Sequence, residues 1–146
     1  MKRSPQLRSL SSEHHGALVL ALKARKASAG GDVSAFWEHL RERFAIELEP
    51  HFQAEERSLL PALERVGEDT LVARTLVART LAEHREMREC LAGTADAANL
   101  MRFADLLERH VRFEERELFE VAQRRLSDEE LAQICAPVPA GNVAAD

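Results

Sequence analysis

Tyrosine is absent from this 146-residue chain, tryptophan occurs once and cysteine twice. The missing tyrosine excludes chemistry that runs through a tyrosyl radical. Cys90 and Cys135 are far apart and form no Cys-x-x-Cys pair, so no disulfide framework is expected and both read as small buried hydrophobes. No apolar run approaches the roughly 20 residues that span a bilayer. The N-terminus, Met-Lys-Arg-Ser-Pro-Gln, leads into polar sequence and not into the apolar core of a secretion signal. A soluble, cytoplasmic protein without a membrane partner is expected. The net charge of −5 comes from acids spread along the chain, and no basic stripe offers a surface to nucleic acid.

What is present is a mix of 45% hydrophobic and 31% charged residues, enough for one ordinary core. The reading is a single domain over residues 1–135 and a flexible tail over 136–146. Ser4-Pro5 makes an N-cap and first-turn pair, and Leu7, Leu10, Ala17, Leu18, Ala21 and Leu22 recur at helical spacing until Gly30-Gly31. Asp32 or Ser34 caps a second helix that carries Phe36, Leu40, Phe44, Leu48, Phe52, Leu59 and Leu63 and ends near Gly67. Pro50 and Pro61 should kink this helix without ending it, because the apolar spacing holds phase on both sides. Asp69 caps a third helix to about Leu91. A fourth runs from about Ala97 to Arg125 with Phe103, Leu107, Phe113, Leu118 and Val121 inward, and Ser127-Asp-Glu-Glu130 is a capping box for a short fifth helix to about Cys135. No stretch alternates like a strand. The expected fold is all-α, an up-down-up-down four-helix bundle with a short C-terminal fifth helix. The tandem Thr70-Leu-Val-Ala-Arg74 and Thr75-Leu-Val-Ala-Arg79 has a period of five. Five residues turn a helix by about 140°, so the two copies cannot both face inward.

The strongest pattern is a duplicated string: His51-Phe-Gln-Ala-Glu55-Glu56-Arg57-Ser-Leu59-Leu60 and His110-Val-Arg-Phe-Glu114-Glu115-Arg116-Glu-Leu118-Phe119. Each is preceded at a distance by a Glu-His pair, Glu13-His14 and Glu83-His84. A His and a Glu four apart share one helix face, with Cβ atoms about 5–6 Å apart, so each string can grip a metal ion. Four histidines, one per helix, then lie on or beside inward stripes with two carboxylates. Burying them without a cation would leave polar groups unpaired at about 1–3 kcal/mol each. The candidate ligands are His14, His51, Glu55, His84, His110 and Glu114. His15 competes with His14 for the first position, while His39 falls off the ligand face. Glu47, one turn before His51, is either an extra ligand, a partner for an imidazole N–H, or half of an ion pair. Glu56 and Glu115 rotate about 100° away from the ligand face and are expected as solvated partners for Arg57, Arg116 or other helices. Pro50, next to His51, either aims that side chain, opens a channel, or only improves packing. Imidazole plus carboxylate suits Fe, Mn, Co or Zn.

This pattern resembles the hemerythrin-like, or HHE cation-binding, family: His14 on helix one, His51-x-x-x-Glu55 on helix two, His84 on helix three and His110-x-x-x-Glu114 on helix four. Glu-Glu-Arg-x-Leu-Leu-Pro61 and Glu-Glu-Arg-x-Leu-Phe119 are similar to that family too, and the likeness covers about residues 7 to 125. It implies a non-haem di-iron centre in a four-helix bundle, with Glu55 and Glu114 bridging, His14 and His51 on one metal, and His84 and His110 on the other. One departure stands out. The oxygen carriers of that family have a second His one turn from the first on helix three, whereas Thr80 and Arg88 flank His84 here. One metal then loses a protein ligand, which favours redox turnover or sensing over reversible O2 carriage. The leading expectation is a protein that reacts with or senses O2, peroxide or nitric oxide. Iron storage or metal sensing, and a di-iron oxidase or oxygenase acting on an organic substrate, are the alternatives; the last requires an apolar pocket beside the metals.

Overall fold

The computed structural model describes residues 3–65 and 70–134. Among them every regular element is helical. Helix α1 is Pro5–Gly30; Ser4 caps it by accepting from the Leu7 N–H, with Pro5 in the first turn. Helix α2 (33–65) starts after Asp32, whose carboxylate accepts from the Ala35 N–H. Helix α3 is Thr70–Leu91, and α4 (97–125) is capped by Asp96 through the Asn99 N–H. The short α5 is Asp128–Ala132, with both halves of the Ser127/Glu130 capping box formed. It ends before the expected Cys135, at Gln133. Gly67, Asp69 and the tail expected at 136–146 lie outside the described residues.

Helices α2 and α4 are not uniform. In α2 the winding widens to π turns at Phe44–Leu48 and Glu55–Leu59, with the Glu49 N–H donating to the Phe44 carbonyl and the Leu60 N–H to that of Glu55. Helix α4 widens at Glu114–Leu118, with the Phe119 N–H donating to the Glu114 carbonyl. Pro50 and Pro61 each come one residue after such a closure, so the helix takes up the missing proline N–H within a wider turn and runs on. The other two landmarks are Glu55 and Glu114, each of which opens a π turn.

Helix α1 packs along the Ala97–Phe113 stretch of α4, and α3 packs against both α4 and the Leu60–Arg65 end of α2. Two apolar clusters result. One gathers Ala21, Trp37, Leu40, Phe52, Met87, Leu100, Phe103 and Leu107. The other gathers Leu7, Leu10, Leu59, Leu63, Val77, Leu118 and Phe119. The expected stripes hold on α2 and α4, but on α1 Leu18 and Leu22 are exposed at 36% and 51% while Leu20 and Ala24 are buried. The i, i+4, i+7, i+11 run from Leu10 through His14, Ala17 and Ala21, continued by Ala24, sets the face, and Leu18 and Leu22 lie one step beyond it. The five-residue repeat behaves as its rotation demands: Leu76 and Val77 are buried, and their counterparts Leu71 and Val72 are exposed.

This packing makes a contrast. Leu107→Ala should lower unfolding free energy by about 2–5 kcal/mol, since Leu107 is fully buried. Leu71→Ala, at a side chain 70% exposed, should change it by no more than about 0.5 kcal/mol. Urea unfolding of the two variants checks the assignment.

Candidate metal centre

The structure brings all six sequence-selected residues to one buried point between the two apolar clusters. Glu55, Glu114 and His84 are 0% exposed, His110 1%, His51 4% and His14 5%. Two overlapping groups of donors form, His14/His51/Glu55/Glu114 and Glu55/His84/His110/Glu114, each with its ligand atoms within 4.8 Å of one another. The two glutamates belong to both groups. His15 and His39 are exposed, and it is His14 that joins a donor group. Glu47 is exposed and pairs with Arg43 at 3.0 Å; it joins neither donor group.

Each imidazole is held from behind. The Nδ1 of His51 lies 2.7 Å from Glu13, that of His14 2.7 Å from Glu115, that of His84 2.6 Å from Glu56, and that of His110 2.7 Å from Glu83. The arrangement is reciprocal. Glu13 precedes His14 but serves His51 of the same half, and Glu83 precedes His84 but serves His110. Glu56 and Glu115, each next to a buried glutamate, reach across to the other half. Rotation by one residue on the helix takes Glu56 and Glu115 off the inner face, as expected, but onto the back of a neighbouring imidazole. Of the expected partners, Arg57, Arg116 or other helices, the structure shows the last: Glu56 pairs with His84 and Arg88, and Glu115 with His14 and Ser11. The signal was the doubled Glu-Glu in both strings and the repeated Glu-His.

An Nδ1–H donated outward fixes the tautomer and leaves the Nε2 lone pair facing inward. Inside it meets carboxylate oxygens: His51 Nε2 to Glu55 at 3.2 Å, His84 Nε2 to Glu55 at 3.1 Å, His110 Nε2 to Glu114 at 3.1 Å and His14 Nε2 to Glu114 at 2.8 Å. Except for the last, these approaches do not have hydrogen-bond geometry; His51 Nε2, His84 Nε2, His110 Nε2, both oxygens of Glu55 and one of Glu114 are buried without a partner. Lone pairs facing lone pairs need something positive between them, either protons or metal cations. The donor set fits divalent ions of the first transition row.

Without a metal the cluster answers by holding protons. Burial alone lowers the pKa of His110, but the charge of Glu114, with the hydrogen bond to Glu83 behind, outweighs it and raises it to about 10. Burial likewise disfavours the charged forms of His51, His14 and His84, and their carboxylate neighbours overturn it, most strongly at His51 through Glu55. Burial would raise Glu114, yet His110, His14 and His51 hold it well below the usual range. Glu56 is brought down to about 2 against its burial by His84 and Arg88.

Beside the cluster, between α1 and α2, lies a cavity of about 330 Å³ whose lining includes Glu13, Gly16, Ala17, Ile46 and Pro50, and which reaches His14, His51 and His110. Across the centre, one turn before His84 on α3, Thr80 is fully buried, its hydroxyl donating to the Leu76 carbonyl at 2.7 Å. Arg88, one turn the other way, is committed to Glu49 and Glu56. Phe52 stacks on His84 with centroids 3.9 Å apart, and Phe119 on His14 at 5.4 Å.

Fold and site together define a helical His/Glu cation-binding domain. The hemerythrin HHE cation binding domain description matches residues 7–122, and the chain belongs to that family. Comparison with curated proteins and with solved structures gave no match.

Two expectations follow from the site. Glu56→Gln and Glu115→Gln should each weaken metal binding by about 10–100-fold in a competition titration against a chromogenic chelator, while leaving the helix content intact. The second concerns pH. The folded-state pKa of the imidazoles is raised, so their contribution to stability is complete below the unfolded value near 6.5 and is lost as pH climbs through the folded values, about 10 at His110. Glu114 works the other way, contributing above about 4.5 and losing its effect on acidification. Metal-free protein should therefore melt highest between about pH 4.5 and 6.5 and progressively lower toward pH 10. Metal binding displaces those protons, so metal affinity should rise over the same alkaline range. Thermal scans with and without chelator from pH 4 to 10 check both directions.

Proposed function

We propose that this chain is a non-haem di-iron protein that reacts with or senses dioxygen, peroxide or nitric oxide in the cytoplasm. In this reading its four long helices run up-down-up-down as a bundle around the centre, which the short turns at 31–32 and 92–96 and the packing of α1 on α4 and α3 on α4 support. His14 and His51 would hold one ion and His84 and His110 the other, with Glu55 and Glu114 shared. The observation that carries the proposal is the sharing: two donor groups overlap in two carboxylates of zero exposure, and three of their four oxygens have no hydrogen-bond partner. One cation would leave half of those atoms unpaired.

A bound pair of redox-active ions supplies electrons and Lewis acidity toward small oxidants. The chain's own residues do the rest. Glu13, Glu115, Glu56 and Glu83 hold the four rings in the tautomer that presents Nε2 inward. Phe52 and Phe119, stacked on His84 and His14, keep water from two of them. The alternative of an organic substrate gains a specific support from the cavity beside His51, since it is larger than a diatomic requires.

The test is direct. Protein grown with iron, reduced anaerobically and then exposed in turn to O2, peroxide and nitric oxide should carry two irons per chain and change its visible absorption with at least one of them. Tight zinc alone after iron-replete growth, or an iron-loaded protein inert to all three, contradicts the proposal.

A further inference from the structure

Three of the four carboxylates behind the imidazoles are themselves paired to arginine. Arg88 binds Glu56 at 2.9 Å, Arg79 binds Glu83 at 2.9 Å, and Arg3 lies 3.6 Å from Glu115. Each guanidinium also sits over a phenylalanine ring, Phe52, Phe113 and Phe119 at 5.7, 4.0 and 5.7 Å. Glu13 breaks the pattern. Among the described residues its one ionic partner is His51, and its side chain is 40% exposed. The internal duplication shows what is missing: Arg79 stands four residues before Glu83, and the equivalent position before Glu13 is Ser9.

Glu13 lines the cavity between α1 and α2. Ala17, Ile46 and Leu107 give that cavity apolar walls, and His51 and His110, 4% and 1% exposed with Nε2 atoms that have no partner, lie at its buried end. At about 330 Å³ it has the volume of roughly ten waters and falls at the small end of organic-ligand pockets. The second acid at the lining, Glu47, is already engaged by Arg43. Carboxylates only accept hydrogen bonds when ionised, so this opening repels anions and leaves one acceptor free for a donor that carries positive charge.

We infer that this cavity binds a small organic cation, an ammonium or guanidinium on a short apolar body, whose charge takes on Glu13 the place that Arg79 holds on Glu83. The inference rests on the reading of the cluster as a metal centre, beside which the cation's apolar body sits.

The full chain loaded with zinc, which is redox-silent, provides the test. Its metal content is measured first, and n-butylammonium and n-butanol are then titrated by calorimetry, with the amides of Gly16 and Ile46 followed by NMR. The ammonium should shift both amides and bind about fivefold tighter than the alcohol, the preference expected of a half-exposed ion pair. Glu13→Gln should bind zinc about 10–100-fold more weakly, as at Glu56 and Glu115, and, held at saturating zinc, should lose the preference. Equal affinity for the two probes, or no binding of either to protein holding two zinc ions, overturns this inference and leaves the metal reading standing. A chain that holds no zinc overturns both. Should the variant fail to fold, the comparison of the two probes on the unaltered chain decides the matter.

Discussion

Two carboxylates with no access to water, Glu55 and Glu114, face four imidazoles whose outward nitrogens are already committed. Charge that deep in a helical core is tolerable only if positive charge sits among it, because an isolated buried ion costs several kcal/mol even after relaxation. Everything near the centre serves that requirement. The π turns that open at Glu55 and Glu114 direct one glutamate inward and the next toward a neighbouring ring. The outer arginines then balance the second layer of acids. The result is charge arranged in shells, with carboxylates and imidazoles at the centre and acids paired to arginines outside them.

The shells are nearly two-fold. Each half of the chain supplies a Glu-His pair and a His-x-x-x-Glu-Glu string, and each outward Nδ1–carboxylate contact in one half has a counterpart in the other. The departures from that symmetry carry the functional content. On the α3 side stands a buried threonine whose hydroxyl is spent on the backbone, with Phe52 stacked on His84 and Arg88 over the Phe52 ring. On the α1 side the arginine is missing, Gly16 leaves space with nothing within 4 Å of a would-be Cβ, and a cavity opens to His51. The two halves of one centre thus face different surroundings.

The six central residues were legible in the sequence because helical spacing is a strong constraint: a His and a Glu four apart must share a face, and four such faces in one small core have one place to meet. The helices were legible for the same reason, with caps at Ser4, Asp32 and Ser127 where side chains accept from the expected N–H groups. What the spacing could not carry was the second layer. Glu56 and Glu115 looked like surface acids because their reach depends on which helix is the neighbour, a tertiary fact. The inward face of α1 was misjudged at Leu18 and Leu22 because hydrophobicity alone does not distinguish a core leucine from one just beyond the edge of the stripe. The helix continues through both prolines as expected, and the wider turns beside them are something no local pattern announces.

The claim on which the rest depends is that the shared carboxylates hold two cations. Crystals of iron-replete protein, measured at wavelengths on either side of the iron absorption edge, locate the metal directly. The account predicts two anomalous peaks, one flanked by His14 and His51 and the other by His84 and His110, with Glu55 and Glu114 between them. A single peak, or none in protein whose four rings keep these positions, would contradict it.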